Sequence, residues 1–309
     1  MARRARNLRL DQEGRYHIRA QVAGPSGYYP LQEADNALQL VALLRHYTRL
    51  YFCSVLAFSI MGSHYHLVCR FEPFRQLSRQ ELLERAAAFY PDPRYQPYWR
   101  WSEAEWERFN RRLFSASELM RNVQGAYARW FNRRWGRKGR FWADRFHLTE
   151  SENLLETVLY VELNPVRAHL TQLPEQWRYG SAWLRRQGQD DWLESPERWI
   201  GPTQDRAEAA RFYWTALYWR GTEPSRAGDG VVPKALAAEM VARLGERGSY
   251  RRRIPGFSRG LCVGTEEAVQ QRLAELRAAG AYRRRRHAIP LGAAGLYMLR
   301  EQRSNFVQI

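Results

Sequence analysis

Residues 51–71 read YFCSVLAFSIMGSHYHLVCRF. Two dense apolar runs, 51–60 and 64–71, flank the turn Met61-Gly62-Ser63. The first run reads as a buried strand and the second as its hairpin partner. A strand has a side-chain period of two. His64, His66, Val68 and Arg70 therefore share one face, and Tyr65, Leu67, Cys69 and Phe71 point the other way into a core. Two imidazoles on one face can hold one metal ion. Surface or packing histidines can show the same spacing.

The flanking sequence extends this hairpin. Residues 15–24 (RYHIRAQVAG) read as a strand with weak alternation, ended by Gly24 and Pro25. Asp35 or Asn36 can cap a helix running to about Leu50, with Leu38, Leu40, Val41, Leu44 and Tyr47 as its apolar stripe. The opening is thus β-α-β-β, which suggests a mixed or antiparallel sheet with helices on one face, an α+β fold. Residues 79–89 read as helical, and an aromatic, proline-broken loop (YPDPRYQPYWRW) follows. Ser102 with Glu105, Ser115 with Glu118 and Thr149 with Glu152 have capping-box spacing. They open helices to about Leu113, to about Trp135, and through NLLETVLYVELN, which Pro165 ends. Beyond about 190, helical stretches near 205–220, 234–246 and 265–278 lie between Gly- and Arg-rich loops. Arginine runs at 251–253 and 283–286 read as solvated faces or as phosphate contacts.

A chain of 309 residues suggests about two domains. Its 49 basic against 32 acidic residues give a net charge of +17. Lys138 and Lys234 are the only lysines, so arginine carries nearly all of it. This balance argues against an ordinary metabolic enzyme and for a polyanionic partner, nucleic acid first. A hydrophobic content of 45% excludes intrinsic disorder. Cys53, Cys69 and Cys262 form no C-x-x-C pair, which argues against a zinc module or a disulfide framework and fits a reducing, intracellular setting. The N-terminus has no apolar signal region, and no apolar run approaches membrane-spanning length.

A second constellation lies at 159–170 (LYVELNPVRAHL). On a helix Tyr160 and Asn164 are i and i+4 and lie one above the other. Alone, Asn before Pro is an ordinary stop signal, and a Tyr is more often packed than catalytic. Beside two histidines the pair reads differently. A metal held by two imidazoles and an amide oxygen polarises a phosphodiester. A neighbouring Tyr hydroxyl can then attack phosphorus and keep the bond energy in a covalent ester. Residues 133–147 interleave Arg133, Arg134, Arg137, Lys138, Arg140 and Arg145 with Trp135, Phe141, Trp142 and Phe146. Single-stranded DNA binding uses cations on phosphates and aromatic faces on bases. A core of aromatics under a solvated basic edge reads the same way.

Three stretches occur in order: AFSIMGSHYHLVCRF (57–71), LMRNVQGAYARWFNRRWGRKGRFWADRFH (119–147) and LYVELNPVRAHL (159–170). With them, roughly residues 12–185 resemble the HUH single-tyrosine transposases, and in particular their REP-associated (RAYT) branch. The resemblance implies an antiparallel, ferredoxin- or RRM-like β-α-β-β core with helices on its faces. Residues 1–190 would form the nuclease domain, with a helical insertion at 72–118. Residues 191–309 would form an Arg-rich, mainly helical region that can bind DNA. His64 and His66 would be metal ligands, Tyr160 the nucleophile and Asn164 the third ligand, with Mg²⁺ or Mn²⁺ as cofactor. Imidazole donors suit Mn²⁺ at least as well as Mg²⁺. The implied activity is single-stranded nicking and strand transfer near REP-like DNA hairpins, through a 5′-phosphotyrosine. Such proteins occur as monomers and as homodimers, and the implied setting is the bacterial cytoplasm and nucleoid.

Tyr65 is larger than the aliphatic residue common inside the HUH element. Met61-Gly62-Ser63 stands where many relatives have Met-Pro-Asn, and the 72–118 insertion is long. Tyr127 is an alternative nucleophile, although Asn132 lies about 140° around the helix from it. Glu156, one turn before Tyr160, could reach the metal or simply be a solvated helix residue. Arg133, Arg137, Lys138, Arg140, Trp142 and Arg145 are the candidate DNA contacts. Arg167 is equally a DNA contact or a structural ion-pair partner. His17, His46, His147, His169 and His287 show no partner spacing and read as ordinary residues. Two other functions fit the composition: a non-catalytic hairpin or single-strand binder on the same scaffold, and a metal-dependent hydrolase that does not use Tyr.

Overall fold

The computed structural model describes residues 10–151, 153–200, 205–244, 260–278, 288–290 and 296–300. In chain order the elements are β1 (Gly14–Gln21), α1 (Ala34–Thr48), β2 (Cys53–Ile60), β3 (His64–Phe71), α2 (Arg79–Phe89), α3 (Glu103–Arg112), α4 (Ala116–Arg134), β4 (His147–Ser151) and α5 (Leu154–Glu162). They continue with α6 (Asn164–Arg167), α7 (Ser181–Gln187), α8 (Arg206–Gly221), α9 (Lys234–Arg243), β5 (Gly260–Thr265), α10 (Glu266–Ala278), β6 (Ile289–Pro290) and β7 (Leu296–Arg300). The sheet order is β2-β3-β1-β4-β5-β7-β6. The first four strands are antiparallel, and β5 joins β4 in parallel. The architecture is α+β.

The hairpin at 53–71 forms because both strands are apolar enough to be buried on two sides. Tyr65, Leu67, Cys69 and Phe71 face a core shared with Ile18 of β1, Leu40 and Leu44 of α1, and Leu119, Val123 and Tyr127 of α4. The opposite face is also covered. Ala57 and Val68 pack there against Val158, Leu159 and Val161 of α5 and Tyr213 and Leu217 of α8. Helices therefore cover both faces, where the β-α-β-β opening alone suggested one. The insertion after β3 builds its own small core from Leu82, Trp106, Phe109 and Leu113 around Phe52.

Three boundaries depart from the sequence reading. The Thr149–Glu152 spacing does not open a helix. Residues 147–150 pair with β1 instead, and Glu152 lies outside the described residues. α5 begins after Asn153, whose side-chain oxygen accepts from the Glu156 N–H at 3.1 Å. Pro165 does not end that helix either. α5 stops at Glu162, and Pro165 sits in the first turn of α6, where its missing N–H has no helical partner to lose. At α1 the N-cap is Glu33, not Asp35 or Asn36; Asn36 is buried, and its amide donates to the Pro30 carbonyl at 2.8 Å. The capping boxes at Ser78 and Ser102 are present, and Ser115 accepts from the Glu118 N–H.

Chain beyond residue 190 lies against the sheet. Leu193 joins the first core, and the Glu194 N–H donates to the Val55 carbonyl at 2.7 Å. The arginine runs at 251–253 and 283–286 and His287 lie outside the described residues. Among the described residues, no helix is long and apolar enough to cross a membrane.

Candidate active site

The register between β1 and β3 sets Arg19 opposite His66 and His17 opposite Val68. Directly opposed residues share a face. His17 and Arg19 therefore join His64 and His66 on the side covered by α5. His17 and His66 are each 2% exposed. Their rings are nearly parallel, at 13° with centroids 5.1 Å apart, and His17 Nε2 lies 2.8 Å from His66 Nδ1. That nitrogen contact is shorter than stacked rings permit, so the hydrogen bond runs edge to edge. His64 crosses His66 at 80°. The hairpin turn contributes the Ser63 hydroxyl, 3.3 Å from His64 Nδ1.

Tyr160 comes down on this group from the last turn of α5. Its ring meets His17 and His66 edge-on, at centroid distances of 5.8 and 5.9 Å. The Arg167 guanidinium lies over that ring, 5.2 Å from its centroid, and donates to the Tyr160 carbonyl at 3.2 Å. Burial, and then neighbouring Arg220, lower the Arg167 pKa to about 10. Arg167 thus belongs to the tyrosine's surroundings. Arg167 is partly exposed.

Burial also controls the two histidines of β3. It lowers the His64 pKa to about 4, with the Arg19 charge adding to the effect. It holds His66 well below its ordinary value, helped by His17, His64 and Arg19. Both are neutral imidazoles at neutral pH, the form that can donate a lone pair to a metal. The Asn164 amide nitrogen donates to the Tyr160 carbonyl at 2.8 Å and to the Val161 carbonyl at 3.3 Å. Its side-chain oxygen is the atom of that group suited to a cation. This donor chemistry fits one divalent ion. Among the described residues, no group of three or more His, Cys, Asp or Glu side chains is set to hold a metal. A site built on His64 and His66 therefore needs Asn164 or the substrate itself to complete it.

α5 is pinned from behind. Glu156 is buried and pairs with Arg220 of α8 at 3.3 Å, so it is neither solvated nor a metal contact. Glu162 accepts from Ser181 at 2.6 Å and from the Tyr213 hydroxyl, and burial raises its pKa. These contacts tie the tyrosine-bearing helix to α7 and α8.

Tyr127 lies on the far side of the sheet. It is fully buried, its hydroxyl donates to the Asn36 carbonyl at 3.1 Å, and burial pushes its pKa up. That position sets it aside as a nucleophile. Asn132 instead donates to the Gly139 carbonyl at 2.9 Å.

The basic segment divides into two groups. Arg133, Lys138, Arg140 and Arg145 are exposed. Arg137 is braced, donating to the Tyr28 hydroxyl at 2.9 Å and lying over the Phe131 ring. Trp142 is half-buried, donates to the Gln124 carbonyl at 3.0 Å and packs on Tyr65 and Tyr127 at the edge of the core.

Spacing along the chain gives His17 and Arg19 no partner, yet the register makes both part of the site. The signal was available in RYHIRA. If 15–20 is a strand, His17 and Arg19 form a polar face opposite Tyr16, Ile18 and Ala20. His46 and His147 are exposed, and exposed His169 contacts the Gly228 carbonyl at 2.9 Å, as ordinary residues do.

Comparison with known proteins finds no matching family model and no matching curated protein. Among solved structures, the chain is similar to a REP-associated tyrosine transposase bound to a REP hairpin. The likeness is distant: 13% identity, covering 66% of this chain and 94% of that one, with a TM-score of 0.39.

Proposed function

We propose that this protein is a metal-dependent, single-strand DNA nickase and strand-transferase of the HUH single-tyrosine type, acting beside REP-like DNA hairpins. The observation that carries the reading is the placement of the Tyr160 ring against both His17 and His66, on the face that also holds His64 and Arg19. A tyrosine brought onto a cluster of imidazoles and two guanidinium groups suits attack on a phosphodiester. Tyr127 has no such surroundings.

In this mechanism His64, His66 and Asn164 hold Mg²⁺ or Mn²⁺. When bound, the ion supplies charge neutralisation and polarisation at the scissile phosphate. Arg19 adds fixed positive charge beside it. Arg167 holds the Tyr160 ring, and the Glu156–Arg220 pair holds the helix. The Tyr160 oxygen forms a bond to phosphorus as the bond to the 3′-oxygen breaks. The phenol proton passes to solvent, and the 3′-oxygen takes one up. The products are a 5′-phosphotyrosine and a free 3′-hydroxyl. The ester keeps the bond energy, so a second 3′-hydroxyl can attack it and release Tyr160. Exposed Arg133, Lys138, Arg140 and Arg145 would track the backbone of the bound strand.

The test is incubation with hairpin-bearing single-stranded DNAs in Mn²⁺ or Mg²⁺, read on a denaturing gel. A protein–DNA adduct lost in Tyr160→Phe and His64→Ala, and kept in an Arg75→Ala control, supports the reading. Cleavage without adduct that survives Tyr160→Phe favours a hydrolase. Tight binding without cleavage on every substrate favours the non-catalytic binder.

A further inference from the structure

We propose that Tyr29 and Trp135 are base-stacking residues on a single-strand track that reaches His64 across one end of the sheet. The proposal rests on the single-strand reading above for its partner, and adds where that strand runs and which rings hold its bases.

Three chain segments meet at that end. The Val22 N–H, just past β1, donates to the Ser63 carbonyl in the turn before His64, at 2.8 Å. The next N–H, of Ala23, donates to the Phe141 carbonyl at 2.8 Å and so brings in the basic segment. The chain then loops out and returns at Tyr29, where the Leu31 N–H donates to the Gly62 carbonyl at 3.0 Å. The approach is close: a methyl group on Gly62 would stand 3.1 Å from Tyr29 Cβ. Tyr29 therefore stands beside the turn that leads into His64, and it is 50% exposed. Asn36 links this loop to the end of α4. Its amide donates to the Pro30 carbonyl at 2.8 Å, and its side-chain oxygen accepts from the Trp135 indole N–H at 3.3 Å. That bond satisfies the polar edge of Trp135 and leaves the residue 45% exposed. Phe141 and Phe146 are buried and Trp142 is half-buried, so Trp135 is the exposed aromatic of 133–147. Residues 133–140 carry five cations and no acid. Arg134 pairs with Asp35, and Arg137 is braced on Tyr28. Arg133, Lys138 and Arg140 stay exposed. Two open rings among exposed cations, on a surface that ends at His64, fit a polyanion with free base faces. Single-stranded nucleic acid offers that combination, whereas a duplex keeps its base faces stacked on one another.

The experiment measures fluorescence anisotropy of a labelled oligothymidylate, and of a blunt duplex of equal length, with the full chain. Tyr29→Ala and Trp135→Ala should each weaken strand binding about tenfold, the size of one lost base–aromatic stack, and leave duplex binding unchanged. Tyr29→Phe and Trp135→Phe should keep most of the affinity, since the ring and not its hydroxyl or N–H carries the contact. Trp99→Ala, which removes a ring 68% exposed in the 72–118 insertion, should have no effect. In a second arm, a 5-iodouracil-substituted strand is irradiated with the wild-type protein and the attached peptides are mapped by mass spectrometry. Attachment at Tyr29 or Trp135 is expected, and this arm requires no variant to fold. Strand binding unmoved by either alanine change, an equal loss on the duplex, or cross-links confined to other residues overturns the proposal. Cross-links at these rings in a protein that forms no Tyr160 adduct uphold the track and overturn the cleavage reading. A Tyr160 adduct with strand binding unmoved by the alanine changes does the reverse, so the two failures are separable.

Discussion

Replacing Arg220 by Met tests how the tyrosine-bearing helix is held. The Arg220 side chain is 4% exposed and its partner Glu156 2%, with the guanidinium Nε 3.3 Å from Glu156 Oε2. Among the described residues, one terminal nitrogen of Arg220 has no hydrogen-bond partner, and a second carboxylate, Glu223, is 3.7 Å from it. The pair is thus buried but imperfectly satisfied. Removing only the arginine breaks a buried ion pair, which costs about 3–5 kcal/mol. Replacing both partners by apolar side chains of similar size leaves no stranded charge, and such swaps are often neutral. Urea unfolding followed by tryptophan fluorescence provides the assay, with a fall in midpoint at constant slope as the expected signature. Arg220→Met should lose roughly 3–5 kcal/mol, or about 10 °C of Tm. Glu156→Leu with Arg220→Met should recover at least ~2 kcal/mol of that loss. A single variant costing under ~1 kcal/mol, or a double variant as poor as the sum of its parts, refutes the reasoning.

Three further outcomes follow from the geometry. His64 has a folded pKa of about 4 because it is buried near Arg19. The unfolded chain therefore takes up this proton first, and stability is retained above about pH 6.5 and lost as pH falls toward 4. At pH 5 this group should cost about 2 kcal/mol relative to pH 7.5, a loss that urea unfolding of His64→Gln should lack. Trp142→Ala should destabilise by about 2 kcal/mol through lost packing on Tyr65 and Tyr127, less than a fully buried aromatic would, seen in thermal melts. Arg133→Ala with Arg140→Ala should weaken DNA binding across sequences and reduce the slope of log K against log salt by ~1.4, read by fluorescence anisotropy; an unchanged slope means these exposed cations touch no phosphate.

Much of the scaffold was legible because its strongest signals are local. The apolar density of 51–71 and the turn at 61–63 specify a hairpin, and the second strand occupies 64–71 as read. Side-chain alternation along that strand separates the imidazoles from the core residues before any tertiary contact is known. The capping pattern at Ser102 is equally local. At Thr149 the same pattern misleads, because 147–150 pair with β1 and that pairing overrides it. His17 and Arg19 were missed for a related reason: their role depends on which strand lies beside β1 and in which register, and spacing does not carry that. Trp142 and Arg137 look like DNA-binding groups in composition. Their places under Tyr65 and beside Tyr28 depend on how the loop after α4 folds back over the core. Glu156 and Arg167 show the same limit, since buried and solvated helix positions share one sequence pattern.

The measurement closest to the central claim is the identity of the residue that carries DNA after reaction. Wild-type protein reacted with a hairpin-bearing single strand in Mn²⁺ would be digested with nuclease and protease, and its peptides mapped by mass spectrometry. The account predicts a nucleotide attached through a 5′-phosphate to Tyr160, within the peptide spanning α5. Attachment at Tyr127 or any other side chain, or cleavage on hairpin substrates with no attached nucleotide, would contradict it.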